Sequence, residues 1–138
     1  MGAITELLQV FNDFLGAMPS VPPIAWENGD YKYVQGTLFL QAFHMPTSAS
    51  PATLGPGGDI MRGGIFQINV NAPSGQGPMK AAAIVDAILS YFKPGTNLTS
   101  THGVQVKIRK VVPTGGFNDN DWYVVPISIY YTAFTQNA

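Results

Sequence analysis

Between Arg62 and Phe92 the chain changes periodicity within a few residues, and that change limits the folds open to it. Phe66, Ile68 and Val70 alternate with Gln67, Asn69 and Asn71, the period of two that puts apolar side chains on the core side of a strand and polar ones toward solvent or a neighbour. After the break NAPSGQG, the residues Ala81, Ile84, Val85, Ile88, Leu89 and Phe92 recur at the spacing of a buried helical stripe. Pro78 suits the first helical turn, where its missing amide proton costs nothing, and Pro94 with Gly95 closes the helix. Ala81, Ala82, Ala83 and Ala87 are small enough for the helix to approach a sheet closely. A strand joined to a helix by one short turn supplies both layers of an α+β fold.

The rest of the chain arranges itself around that unit. From Ala3 to Met18, the residues Ile4, Leu7, Leu8, Phe11, Phe14, Leu15 and Met18 define a second amphipathic helix, ended by Gly16 and Pro19. Its polar face carries no Lys or Arg, so it reads as a helix packed on a sheet, not one lying on lipid. Ile24 to Trp26 suits a short strand after Pro22 and Pro23, and TLFLQAFHM, Thr37 to Met45, is a longer one. Residues Pro46 to Gly64, PTSASPATLGPGGDIMRGG, lose the pattern and read as a long flexible loop, the kind that commonly carries function. Val104, Val106 and Ile108 alternate with Gln105, Lys107 and Arg109. A Gly/Asn/Asp turn then leads to the last strand, Trp122 to Phe134, where Pro126 marks a bulge or an edge. The expectation is one two-layer domain over residues 1–138: a mostly antiparallel sheet of about four to five strands with two helices packed on one face.

Composition narrows the functional classes. The 138 residues suit one domain whose core needs no metal or disulfide. Charged residues are 11% of the chain against about 25% in ordinary soluble domains, which fits either a surface that meets other protein or a polar uncharged one. The net charge of −1 provides no global field for nucleic acid or anionic membrane. There is no cysteine, hence no disulfide and no thiolate metal site, which suits a reducing cytosol. No basic leader opens the sequence, and no apolar run approaches the roughly 18 residues of a membrane span.

Signals for chemistry are weak. The two histidines, His44 in a strand and His102 in a turn, lie near no carboxylate at ligand spacing, and His44 reads as a strand residue with a satisfied ring. Asn118 to Asp121 lacks the glycine and glutamate of a calcium loop, and SGQGPMK lacks the spacing of a phosphate loop. No catalytic residue, metal or cofactor is expected. Arg62, Lys107, Arg109 and Lys110 form the one basic grouping, with Lys107 and Arg109 sharing a strand face.

The order of these pieces carries a resemblance. An Arg/Gly-Gly element, GIFQINVNAP, SGQG and an Ala-rich helix follow PPIAWEN and a loop containing LGPGG, and precede GVQVKI and YVVPISIYY. Together they resemble the tail terminators of phages with long non-contractile tails. The resemblance implies a non-enzymatic structural protein of the virion tail, assembled in the host bacterial cytoplasm. It implies a ring, usually hexameric, that caps the head-proximal end of the tail tube, stops its polymerisation and receives the head's connector proteins. The partners implied are further copies of the chain, the tail-tube protein and the head-completion protein, with DNA passing nonspecifically through the lumen and no membrane. Leu54, Asp59, Ile60, Met61 and Arg62 in the loop, with Lys107 and Arg109, are the expected interaction residues. The alternatives are another ring component of the neck or tail tube, which would polymerise into tubes, and a small-ligand-binding α+β domain.

Overall fold

A computed structural model describes residues 3–27, 29, 32, 36–51, 59–100 and 103–136, with the backbone course alone for 3, 48–51, 59, 60, 135 and 136. The elements are α1 (Ala3–Gly16), β1 (Ile24–Trp26), β2 (Phe39–Pro51), β3 (Asp59–Pro73), α2 (Met79–Tyr91), β4 (Asn97–Thr99), β5 (Gln105–Pro113), β6 (Phe117–Asp119) and β7 (Trp122–Gln136). Seven strands join in one sheet in the order β1-β2-β3-β7-β5-β4, with β6 attached to β7. Only the β1–β2 pair is parallel.

This corrects the expected layer of about four to five strands with two helices on one face. The sheet dominates and curls into a half-barrel. Three strands of 13, 15 and 15 residues form its middle, and right-handed twist accumulated over such lengths coils a sheet instead of leaving it flat. The two extra strands, β4 and β6, have three residues each and burial too slight to leave an apolar alternation in the sequence.

Both helices contribute to one core with the sheet. Leu7, Phe11 and Leu15 of α1 and Ala81, Val85 and Ile88 of α2 are buried with Phe66, Ile68 and Val70 of β3 and Val125, Ile127 and Ile129 of β7. Phe11 stacks on Phe66 with ring centroids 4.8 Å apart, and Phe14 meets Phe92 edge-on at 5.0 Å. The Tyr91 hydroxyl donates to the carbonyl of Phe14 at 2.6 Å, tying the helices together. Among the expected α1 stripe residues, Ile4 stays 40% exposed.

Residues 46–64 are not one structureless connection. β2 and β3 stay paired from Pro46↔Gly64 to Pro51↔Ile60, with one register shift between Pro46 and Ser48. β7 continues alongside to Asp59↔Gln136. Thr47 to Ser50 carry no large apolar residue, yet a ladder three strands deep satisfies backbone groups without help from side chains. Leu54 lies outside the described residues.

Pro126 sits neither at a bulge nor on an edge strand. It pairs with Asn69 in an unbroken β3–β7 register, and its carbonyl accepts the Thr114 amide at 2.9 Å. In an antiparallel strand the amide and carbonyl of one residue point the same way, so the missing N–H of Pro126 faces the corner between β5 and β6. The irregularity of this region is at Arg109, between the pairs Ile108↔Tyr131 and Lys110↔Tyr130.

Candidate functional site

The sheet has two chemically different faces. Even-numbered residues of β3 and odd-numbered residues of β7 turn inward to the helices, and their neighbours turn outward. On the outward face the register sets Met45 beside Ile65, then Tyr130, then Lys110, across four strands. The next row is Phe43, Gln67, Ser128 and Val112. Met61 faces Phe134 directly. Met45, Met61, Val112, Phe117 and Phe134 are all exposed large apolar residues. Between them runs an amide network: Gln67 Nε2 donates to Asn69 Oδ1 at 2.9 Å and Asn71 Nδ2 to Gln41 Oε1 at 3.2 Å. The row Phe39, Asn71 and Val124 of the same face is buried, so its open part lies toward Met45, Met61 and Phe134, where methionine and aromatic side chains fit a protein-binding surface.

The expected interaction residues divide between the faces. Asp59, Ile60, Met61 and Arg62 are consecutive at the start of β3, paired with the end of β7. Met61 turns outward. Arg62 has the phase of Gly64 and Phe66 and lies opposite the buried Ala133, so it turns inward, toward Tyr131. Lys107 and Arg109 share the outward face of β5, as their spacing implied, but the sheet separates them from Arg62. The bulge at Arg109 also brings Lys110 outward, because a bulge sets two residues against one. Arg109 Nε donates to Thr132 Oγ1 at 3.0 Å, and the Lys110 ammonium lies 4.5 Å from the Tyr130 ring centroid.

On the inner side, His44 Nε2 and the Tyr131 hydroxyl share a buried hydrogen bond of 2.5 Å. Burial lowers the His44 pKa below its ordinary value, opposed by the nearby Glu27 carboxylate. Burial likewise pushes Tyr131 up to about 12, with Arg62 pulling the other way. Glu27 Oε1 accepts the backbone N–H of His44 at 2.8 Å. Gly64 passes against the Tyr131 ring, where a Cβ would overlap it. The pair is a satisfied structural contact, and its 87-residue separation leaves no local sequence signal.

The open edge of β2 is blunted. Leu40, Ala42 and His44 direct their amides away from β3. The first two lie in the segment paired with β1, the third is taken by Glu27, and the next residue in phase is Pro46, which has no N–H. Such a stretch of β2 cannot be extended readily by another strand. Among the described residues, no cluster of His, Asp and Glu could hold a metal ion.

The family model for the phage tail terminator protein matches residues 6–131 of the 138. The chain belongs to the phage tail terminator family. No curated protein matches it. A solved structure aligns with a TM-score of 0.70 at 22% identity, over 94% of this chain and 92% of the other, and supports the fold alone. The tail terminator family is structural and not enzymatic, and its members belong to the virion tail and interact with other tail and head components.

Proposed function

We propose that this tail terminator assembles as a closed ring, hexameric as the resemblance implies, on the head-proximal end of the tail tube. There it stops tube polymerisation and presents the surface that receives the head's connector protein, with DNA passing through its lumen without sequence recognition. Assembly takes place in the host cytoplasm. The observation that carries this reading is the outward sheet face, where Met45, Met61 and Phe134 are exposed in a chain only 11% charged. An apolar, charge-depleted face on a tail protein fits burial against neighbouring subunits or the tube. Asp59, Ile60, Met61 and Arg62 would approach such a neighbour from the start of β3, and Lys107 and Arg109 from the other side of β7; Leu54 is proposed with them.

Electron microscopy of the purified protein mixed with tail-tube subunits tests the reading. Rings closing the ends of fixed-length tubes are the expected result. Incorporation of the protein along the tubes would overturn it in favour of a tube or neck component.

A further inference from the structure

A cleft of about 400 Å³ opens at the β1 end of the sheet. Its walls include Ile4 and Leu8 of α1, Trp26 and Phe66, and its polar groups include His44 and the exposed carboxylate of Glu27. One Glu27 oxygen holds the His44 amide, which fixes the side chain at the rim and leaves the second oxygen for another donor. Apolar walls with a single anchored anion match a long cationic side chain, whose methylene stem lies on the walls while its head meets the carboxylate. An indole among the walls adds attraction for a cation.

The same chain carries that ligand at the far side of its sheet. Lys107, Arg109 and Lys110 project together from β5 because of the bulge, and none of them forms an ion pair among the described residues. β1 is the first strand of the order and β5 the last but one, inside β4. Two complementary surfaces on opposite sides of a subunit make a head-to-tail contact, the type that closes into rings, whereas a self-complementary patch stops at a dimer. We infer that the Glu27 cleft of one subunit receives the Lys107/Arg109/Lys110 strip of the next, and that this contact sets the direction of subunit addition. The inference rests on the ring assembly proposed above.

Complementation tests it, with rings scored by electron microscopy in solution and on tail-tube ends. Glu27→Arg turns the cleft against the strip, and the triple change Lys107→Glu, Arg109→Glu, Lys110→Glu turns the strip against the cleft. Each variant alone should lose rings, while an equimolar mixture should regain them, because each cleft then finds a strip of opposite charge. Recovery in the mixture also shows that both variants fold. Glu27→Gln, which retains the acceptor for His44, should weaken assembly about tenfold, in line with loss of one charge pair. Normal rings from either reversed variant alone, or a mixture that stays without rings, would overturn the cleft-to-strip contact while leaving ring assembly standing. Absence of rings from the unaltered protein both in solution and on tubes would instead overturn the ring reading, and this inference with it.

Discussion

His44 and Tyr131 meet through a 2.5 Å hydrogen bond between Nε2 and the phenol oxygen, inside the core and 87 residues apart in the chain. Phe11 packs over both rings, with centroids 6.1 Å from His44 and 4.9 Å from Tyr131. Removing the hydroxyl leaves the imidazole nitrogen without its partner in an apolar setting, a loss of about 1–3 kcal/mol. Tyr131→Phe should therefore lower the urea midpoint without changing the slope of the transition. An unchanged midpoint would mean that the bond contributes nothing net to stability.

The same pair gives stability a pH dependence with opposite limbs. The folded pKa of His44 lies below its ordinary 6.5, so the unfolded chain takes up the proton first. Its contribution is complete above about pH 6.5 and declines as the pH falls toward the folded value. Tyr131 has a folded value near 12 against 10 in the unfolded chain. Its contribution is complete below pH 10 and is lost between pH 10 and about 12. Thermal melts across pH should show both declines. His44→Gln should flatten the acidic limb and Tyr131→Phe the alkaline one, each relative to the unaltered protein.

Gly64 is a position where the close approach of Tyr131 requires a residue with no side chain. A Cβ there would lie 2.7 Å from Cζ and 2.9 Å from Cε1 of that ring, closer than carbon atoms tolerate. Gly64→Ala should cost about 1–3 kcal/mol through displacement of the ring. Combined with Tyr131→Val, which vacates the space, the loss should be smaller than the sum of the two single changes. Strict additivity in that double-mutant cycle would count against the overlap.

Periodicity made the core legible where one side of an element is apolar and the other polar. Phe66, Ile68 and Val70, the inward residues of β7, and Leu7, Phe11, Phe14, Leu15 and Met18 of the α1 stripe face the core as their spacing implied, while Ile4 does not. The half-barrel was not legible, because curvature comes from twist accumulated along three long strands and not from any residue pattern. Nor were β4 and β6, which are short and mostly exposed. Two features of the candidate site did leave a trace in the sequence. Extending the alternation from Phe66 through Gly64 puts Arg62 on the inner face, away from Lys107. The jump of apolar phase from Ile108 to Val111 marks the bulge that turns Arg109 and Lys110 outward together. The grouping of exposed Met45, Met61 and Phe134 needed the strand register, since no pair of them is close in sequence.

Ser100 joins α1 to the turn before β5. Its hydroxyl donates to Glu6 Oε1 at 3.0 Å and accepts the Val104 amide at 2.8 Å, and Glu6 is only 6% exposed. Ser100→Ala removes both bonds and leaves a largely buried carboxylate oxygen without this donor, at a cost of about 1–3 kcal/mol. Hydrogen exchange should report a selective loss of protection at the Val104 amide together with lower overall stability. Retained protection at Val104 would show that the turn is held by its backbone bonds alone, those between Ser100 and Val104 and between Gly103 and Ser100.

Met61 and Phe134 form a directly opposed cross-strand pair on the outward face, 39% and 36% exposed. If that face is buried in assembly, charge placed on it should block association with little effect on the isolated fold, since exposed substitutions usually shift stability by no more than about 0.5 kcal/mol. Met61→Glu combined with Phe134→Glu should leave the melting temperature of the free protein close to its original value and abolish tube capping. Met79→Glu serves as the control, because Met79 is 77% exposed at the start of α2 and belongs to neither face of the sheet. Capping retained by the control and lost by the pair would place the working surface on the outward face. Equal loss in both would mean that added negative charge alone prevents assembly, and equal retention would remove the outward face from the mechanism.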